Sequence, residues 1–177
     1  GNFDEAIKLK PDFAAAFVNR GSAYAEKKQH DRAIRDYDEA IRLNPRLAPA
    51  FYNRGNAYGN KRQDRRAIQD YDAALQINPN YAYALSSRCY ALATISQLDS
   101  ALSDCNRALA ALPTDVPTLY ARGFTYLKMG RLDSAITDFD GALRRDPRLA
   151  PALYGRGVAF RRKGDGALAN KDVAAAK

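Results

Sequence analysis

Apolar residues return along this chain at helical spacing, and the segments that carry them come in pairs. From Ala14 to about Glu26, Phe17, Gly21, Tyr24 and Ala25 form one stripe, three or four residues apart as one face of a helix requires. The polar stretch KKQHD then reads as a turn, with Asp31 suited to cap the second helix. In that second segment, RAIRDYDEAIRL, Ala33, Ile34, Tyr37, Ala40 and Ile41 share one face. Asn44-Pro45 closes it, because proline cannot continue a helix and disfavours helix in the residue before it. The elements are helix, turn, helix.

The same unit recurs. Pro11, Pro45, Pro79, Pro113 and Pro147 stand 34 residues apart, and so do Arg20, Arg54, Arg88, Arg122 and Arg156. An alanine column (Ala33, Ala67, Ala101, Ala135, Ala169) and an aspartate column (Asp36, Asp70, Asp104, Asp138, Asp172) keep the same step. Four columns in step without one insertion identify a tandem array. A single helix pair cannot bury its stripes, whereas stacked antiparallel pairs bury them all.

This pattern resembles the tetratricopeptide repeat (TPR). The signature of a large residue, a glycine, a tyrosine, an alanine, an aromatic, an alanine and a proline stands here as Phe17, Gly21, Tyr24, Ala33, Tyr37, Ala40, Pro45. It returns as Phe51, Gly55, Tyr58, Ala67, Tyr71, Ala74, Pro79, and again from Leu119 to Pro147. The third copy departs at Cys89 and Cys105. The resemblance implies an all-α fold in which 34-residue helix-turn-helix repeats stack into a right-handed superhelical solenoid. Its register makes residues 1–177 a single array. Residues 1–13 are a partial repeat, 14–47, 48–81, 82–115 and 116–149 are full repeats, and 150–177 is an incomplete one. The chain reads as a piece of something longer, or as one whose open ends stack on other copies.

An Arg-Gly pair sits inside most first helices, although glycine there costs about 1 kcal/mol relative to alanine. Gly21, Gly55, Gly123 and Gly157 fall where the two helices of a repeat lie closest, and the alanine column is expected to face them. The arginine replaces the leucine common in the family. Each arginine is followed sixteen residues later by a column aspartate. An ion pair between the helices of every repeat is the expected arrangement, architectural in role.

Composition adds limits. The net charge is +8, with 28 Lys and Arg against 20 Asp and Glu. The basic clusters NKRQDRR (Asn60 to Arg66) and RRK (Arg161 to Lys163) lack the aromatic and glycine pattern of a single-strand nucleic-acid reader. Both signs alternate along the helices as on a solvated surface, so nucleic acid is not the favoured partner. No apolar run approaches the ~18 residues of a membrane span. The compartment stays open.

Cys89 takes the glycine position of the third repeat and Cys105 its second-helix aromatic position. A disulfide is one reading. Two reduced, buried thiols acting as small hydrophobes is the preferred one, because the positions are judged to lie about one helical turn out of line. The chain has one histidine, His30, read as a solvated turn residue. Two cysteines and a distant histidine do not make a metal site. There is no Gly-rich phosphate loop and no Ser/His/Asp set, so neither catalysis nor a cofactor is expected.

The resemblance places a partner on the first helices, which line the concave wall in this family. Residues that leave the buried stripe and vary between repeats are the candidates: Asn19, Ser22, Tyr52, Asn53, Asn56, Tyr83, Ser86, Tyr90, Tyr120, Phe124 and Tyr154. Amides can pair with a peptide backbone, and phenol rings offer area with a polar tip. Some of the tyrosines are expected only to pack between repeats. The basic clamp of chaperone-binding TPRs is missing, since Val18, Ser22, Asn53 and Tyr83 occupy that wall. An asparagine ladder begins at Asn19 and Asn53 but lapses at Ser87, Ala121 and Gly155. The expected function is a non-enzymatic scaffold for a peptide or protein segment. A spacer or self-assembly element using its ends, and a regulatory or recruiting arm of a larger enzyme, are the alternatives.

Overall fold

The computed structural model describes residues 2–177. Eleven α-helices and no strand are found among the described residues. The chain divides into two compact units, one up to Ala84 and one over Leu85–Lys177.

The first unit holds α1 (Asn2–Leu9), α2 (Ala14–Glu26), α3 (His30–Leu43), α4 (Ala48–Asn60) and α5 (Asp64–Ile77). Here α2 packs on α3, α4 on α5, α3 on α4 and α1 on α2. Phe17, Ala40 and Ala50 form one core cluster, with Ile7, Ile41 and Leu47 against it. Ala33, Tyr37 and Ala57 form another. Helix α6 (Ala82–Thr94) begins at the end of this unit. The second unit continues it and adds α7 (Leu98–Ala111), α8 (Val116–Lys128), α9 (Leu132–Arg145), α10 (Ala150–Lys163) and α11 (Gly166–Ala175). Leu119, Leu127, Phe139, Leu143 and Leu153 centre its core. Alanines recur in these cores because nothing bulkier fits where helices approach closely.

The turns are built locally. After α3, Asn44 is extended, and its side-chain oxygen accepts the Arg46 amide at 3.1 Å. Asn78 and Asp146 do the same for Asn80 and Arg148. Such short side-chain-to-backbone bonds set a turn, and the proline in it, lacking a backbone N–H, keeps the helix from continuing. Between first and second helices the chain passes through left-handed backbone at Lys28, Arg62, Ser96, Gly130 and Gly164. Three of these carry side chains in a region that ordinarily favours glycine. Asp31 does not cap α3. Gln29 precedes the helix without a side-chain cap bond, and Asp31, within the first turn, pairs with Lys61. His30 is half-buried rather than solvated, and its Nδ1 has no partner among the described residues.

The arginine column pairs with the aspartate column in all five cases. Arg54 Nε and Nη2 donate to Asp70 Oδ2 and Oδ1 at 2.8 and 2.6 Å. Equivalent forks join Arg20 to Asp36, Arg88 to Asp104, Arg122 to Asp138 and Arg156 to Asp172. The column aspartates are nearly buried, 3–6% exposed. Hydrogen bonding to Asp70 raises the Arg54 pKa further above its ordinary value, against the opposing effect of burial. A third nitrogen reaches the preceding second helix: Arg20 holds Asp4 at 2.8 Å and Arg54 holds Asp38 at 2.6 Å. One guanidinium thus ties three helices.

The glycines do lie at the closest approach. For Gly21, Gly55 and Gly123 the nearest obstacle, however, is the second-helix aromatic ring, and for Gly157 it is Val173 Cγ2 at 3.0 Å. A Cβ on Gly21 or Gly55 would stand 2.7 Å from Tyr37 or Tyr71, and one on Gly123 would stand 2.9 Å from Phe139. The cysteines fill this same pair of positions. They are joined as a disulfide, with Cα atoms 5.5 Å apart, which corrects the expectation of two free thiols. Their sixteen-residue offset matches that of the Arg–Asp forks, so the positions face each other, and the gap suits a bridge. Where the repeats of Gly21, Gly55 and Gly123 fit a ring against a missing side chain, this one has a covalent bond.

Candidate functional site

In the first unit the predicted surface residues divide by packing. Asn19 is exposed on α2. Ser22 is half-buried and donates to the Val18 carbonyl at 3.0 Å, while Asn53 Nδ2 reaches Ser22 Oγ only at 3.5 Å. Asn56 accepts the Tyr71 hydroxyl at 2.8 Å, so its amide oxygen is already committed. Tyr52 lies 6.2 Å from Tyr71 and 5.1 Å from Tyr81, ring centre to ring centre. Tyr81 meets Tyr83 edge-on at 6.5 Å. Tyr83 remains 53% exposed. Tyr81 escapes a reading of the helices alone because it precedes α6. Its signal in the sequence is the neighbouring Tyr83 in NYAYAL.

The second unit has its own aromatic group. Tyr90 lies 5.9 Å from Tyr120 and 5.8 Å from Phe124, and the Tyr120 and Phe124 rings stack at 6.4 Å, one turn apart on α8. Tyr120 leans on buried Phe139 at 6.1 Å. Burial first, and then neighbouring Tyr90, push the Tyr120 hydroxyl up to about 12. Lys128 covers Phe124 at 5.6 Å while donating to the Ala93 carbonyl at 2.6 Å. Tyr154 projects from α10, 58% exposed. Its neighbour Gly155 admits no side chain, since a Cβ there would meet Phe139 Cζ at 2.6 Å. Ser86 is a correction. It is buried, 2.7 Å from Thr118 Oγ1, and offers a ligand no surface.

Over their central turns these first helices are neutral, and the positive charge outside the forks sits in the last turns, at Lys128 of α8 and at exposed Arg161, Arg162 and Lys163 of α10. Helices α4, α6, α8 and α10 contain no Asp or Glu, and the central arginines of α4, α6, α8 and α10 are held in the forks. What remains on the central turns is phenol, aromatic ring and amide, which suits contact area and backbone hydrogen bonds. Among the described residues no group of three or more His, Cys, Asp or Glu is placed to hold a metal ion, and no helix is long and apolar enough to cross a membrane.

Comparison with curated proteins returns no match. Among solved structures the chain is similar to YrrB, described as a TPR protein with an unusual peptide-binding site. Identity is 25%, coverage is 99% of this chain and 91% of that one, and the TM-score is 0.76. It is also similar to MamA from Desulfovibrio magneticus RS-1, at 24% identity, 92% coverage of each chain and a TM-score of 0.78. The type IV pilus biogenesis factor PilW matches at 23% identity over 96% of this chain and 79% of that one, with a TM-score of 0.84. The last two likenesses speak for the fold alone. Three family models match the sequence, one described as TPR repeat over residues 21–61 and two as tetratricopeptide repeat over 48–81 and 120–176. With its helix pairs, its glycine-against-ring contacts and these matches in agreement, the chain belongs to the tetratricopeptide-repeat family.

Proposed function

We propose that this chain is a non-enzymatic scaffold whose first helices take up an extended peptide or protein segment, and that residues 1–177 act as one tandem array with full repeats at 14–47, 48–81, 82–115 and 116–149. Family membership supports the coarser part, since TPR modules are in general non-catalytic platforms for protein interaction. The observation that carries the finer part is the set of exposed tyrosines, Tyr83, Tyr90 and Tyr154, on helices free of carboxylates. The similarity to YrrB, itself described by its peptide-binding site, points the same way. The working surface is narrower than the sequence suggests. Ser86 drops out, and Asn56, Tyr52 and Tyr120 serve packing as well as surface.

A peptide library displayed on phage and panned against the chain tests this. Selected peptides should lose at least ~10-fold in affinity, about 1.4 kcal/mol, when Tyr83, Tyr90 and Tyr154 are all changed to Ala. These side chains are exposed, so the variant keeps its fold by circular dichroism. Peptides that bind it as tightly as the parent would place binding elsewhere. A second reading, self-association, is favoured by the exposed apolar residues Phe3 (39%), Leu9 (83%) and Phe13 (44%). Mass that rises with concentration in light scattering would show it.

A further inference from the structure

Basic residues cluster on one edge of the first unit, where α2 turns into α3 and α4 turns into α5. Lys27, Lys28 and Arg32 stand on the first turn, and Lys61, Arg62, Arg65 and Arg66 on the second. The only carboxylates in these stretches are Glu26, Asp31 and Asp64, and Asp31 is held by Lys61. That pair bridges the two turns and shows them to be neighbours. Lys61 is half-buried, and the other six basic side chains are exposed. Among the described residues, neither Arg62 nor Arg65 has a carboxylate within ion-pair distance. They line an open, shallow depression together with Gln63, Asp64 and Arg66.

The fold does not require these charges, and the chain supplies its own control. One period later the positions of Arg62, Arg65 and Arg66 hold Ser96, Asp99 and Ser100. Those of Lys61 and Lys28 hold Ile95 and, again, Ser96 in the later copies. The backbone is the same, for Ser96 adopts the left-handed conformation that Arg62 and Lys28 adopt. Charge that geometry does not demand, and that at Arg62 and Arg65 has no carboxylate within ion-pair distance among the described residues, is available for a partner.

We propose that this edge is a second interaction surface, separate from the aromatic one, and that its partner is an acidic protein segment. Two details favour a peptide over a nucleic acid. Tyr24 and Tyr58, the aromatic rings here, are half-buried and each already has a guanidinium over one face, Arg32 at 5.7 Å and Arg66 at 5.6 Å, which leaves little ring for base stacking. Asp31 and Asp64 also interrupt the basic row, where a continuous phosphate backbone would meet them. Discrete carboxylates on an extended chain can straddle them. Arg32 and Arg66 are pre-oriented for such carboxylates, each anchored through Nη1 to a glutamine side chain, Gln29 or Gln63, at 3.0 and 3.1 Å. A planar guanidinium so held can present its free edge bidentately.

The test uses the full chain and a fluorescein-labelled peptide of repeated Glu-Ser-Asp-Gly units, with anisotropy as the readout. The variant Arg62→Ser/Arg65→Asp/Arg66→Ser grafts the third repeat's own residues onto the second, and circular dichroism checks that it is folded. Binding should be measurable at low salt, weaken as salt rises past about 0.1 M, and fall at least ~10-fold in the grafted variant. It should survive the exposed-tyrosine triple variant, which separates this surface from the aromatic one. No binding at low salt, or binding unchanged by the graft, overturns the proposal. So does loss of the acidic peptide in the tyrosine variant. Tighter binding of a uridine oligonucleotide of matched charge overturns it in favour of nucleic acid.

Discussion

Gly55 and Tyr71 touch so closely that a single added methyl would stand 2.7 Å from the tyrosine ring. The contact explains why a glycine persists inside α4 at a cost in helix propensity. It also explains why the same helix pairs carry an Arg–Asp fork one residue away. With the helices this near, a long first-helix side chain can span to the second helix and be held there.

Gly55 and Gly59 lie on one helix yet should respond with opposite signs. Gly55→Ala forces the Tyr71 ring or the backbone to move, and overpacking of this kind should cost ~1–3 kcal/mol. At Gly59 the nearest obstacle, the Tyr71 hydroxyl, is 3.8 Å from a new Cβ. Gly59→Ala should therefore gain up to ~1 kcal/mol from propensity. Urea unfolding of the two variants beside the parent measures both.

Arg54→Ala leaves Asp70, 5% exposed, without its fork. Stranding a buried carboxylate costs about 3 kcal/mol or more, so the thermal midpoint should fall by several degrees. Arg54→Lys should recover only part of the loss, because an ammonium cannot reproduce two parallel N–H bonds. Full recovery by lysine would show that charge alone suffices.

Reduction should loosen the third repeat. Cys89 and Cys105, wholly buried, close a loop of 16 residues. Losing a crosslink over such a loop costs about 3 kcal/mol in the chain-entropy account. Dithiothreitol should lower the unfolding midpoint of the parent. Cys89→Gly/Cys105→Tyr, which restores the pairing of the other repeats, should fold and be indifferent to reductant. A parent equally indifferent would contradict a structural role for the bridge.

Tyr120 should be among the last of the 11 tyrosines to ionise. Its folded value of about 12 lies above the ordinary 10. A phenol with a raised value is stabilised in its neutral form. Its contribution is complete below pH 10 and is lost as pH climbs through 12. Ultraviolet titration should show a late step that Tyr120→Phe removes.

Lys28 occupies left-handed backbone that costs a residue with a Cβ about 1–2 kcal/mol. Its side chain has no ion-pair partner among the described residues. Lys28→Gly should relieve the strain, and part of the gain is returned to the freer unfolded chain. A net stabilisation of about 0.5–1 kcal/mol in urea unfolding is the expected result.

Periodicity carries the helix pairs, the stacking and the Arg–Asp forks, because these depend on which residues share a face and on a constant offset between two helices. It carries the glycine column too, though not the ring that each glycine meets. The disulfide runs against the expected misalignment of its two helices, although its sixteen-residue offset equals that of the forks. The exposed site resists more strongly. Tyr120 and Tyr154 hold the same position in successive repeats, yet one is half-buried against Tyr90, Phe124 and Phe139 and the other is open. Ser86 sits beneath Thr118, and Tyr81 joins the aromatic group from a turn. A repeat pattern specifies the direction of each side chain from its own helix. How much of it stays at the surface is decided by side chains 30 or so residues away in the next helix pair, and these vary from copy to copy. Local sequence therefore determined the scaffold, and packing between neighbours decided which part of it is left for a partner.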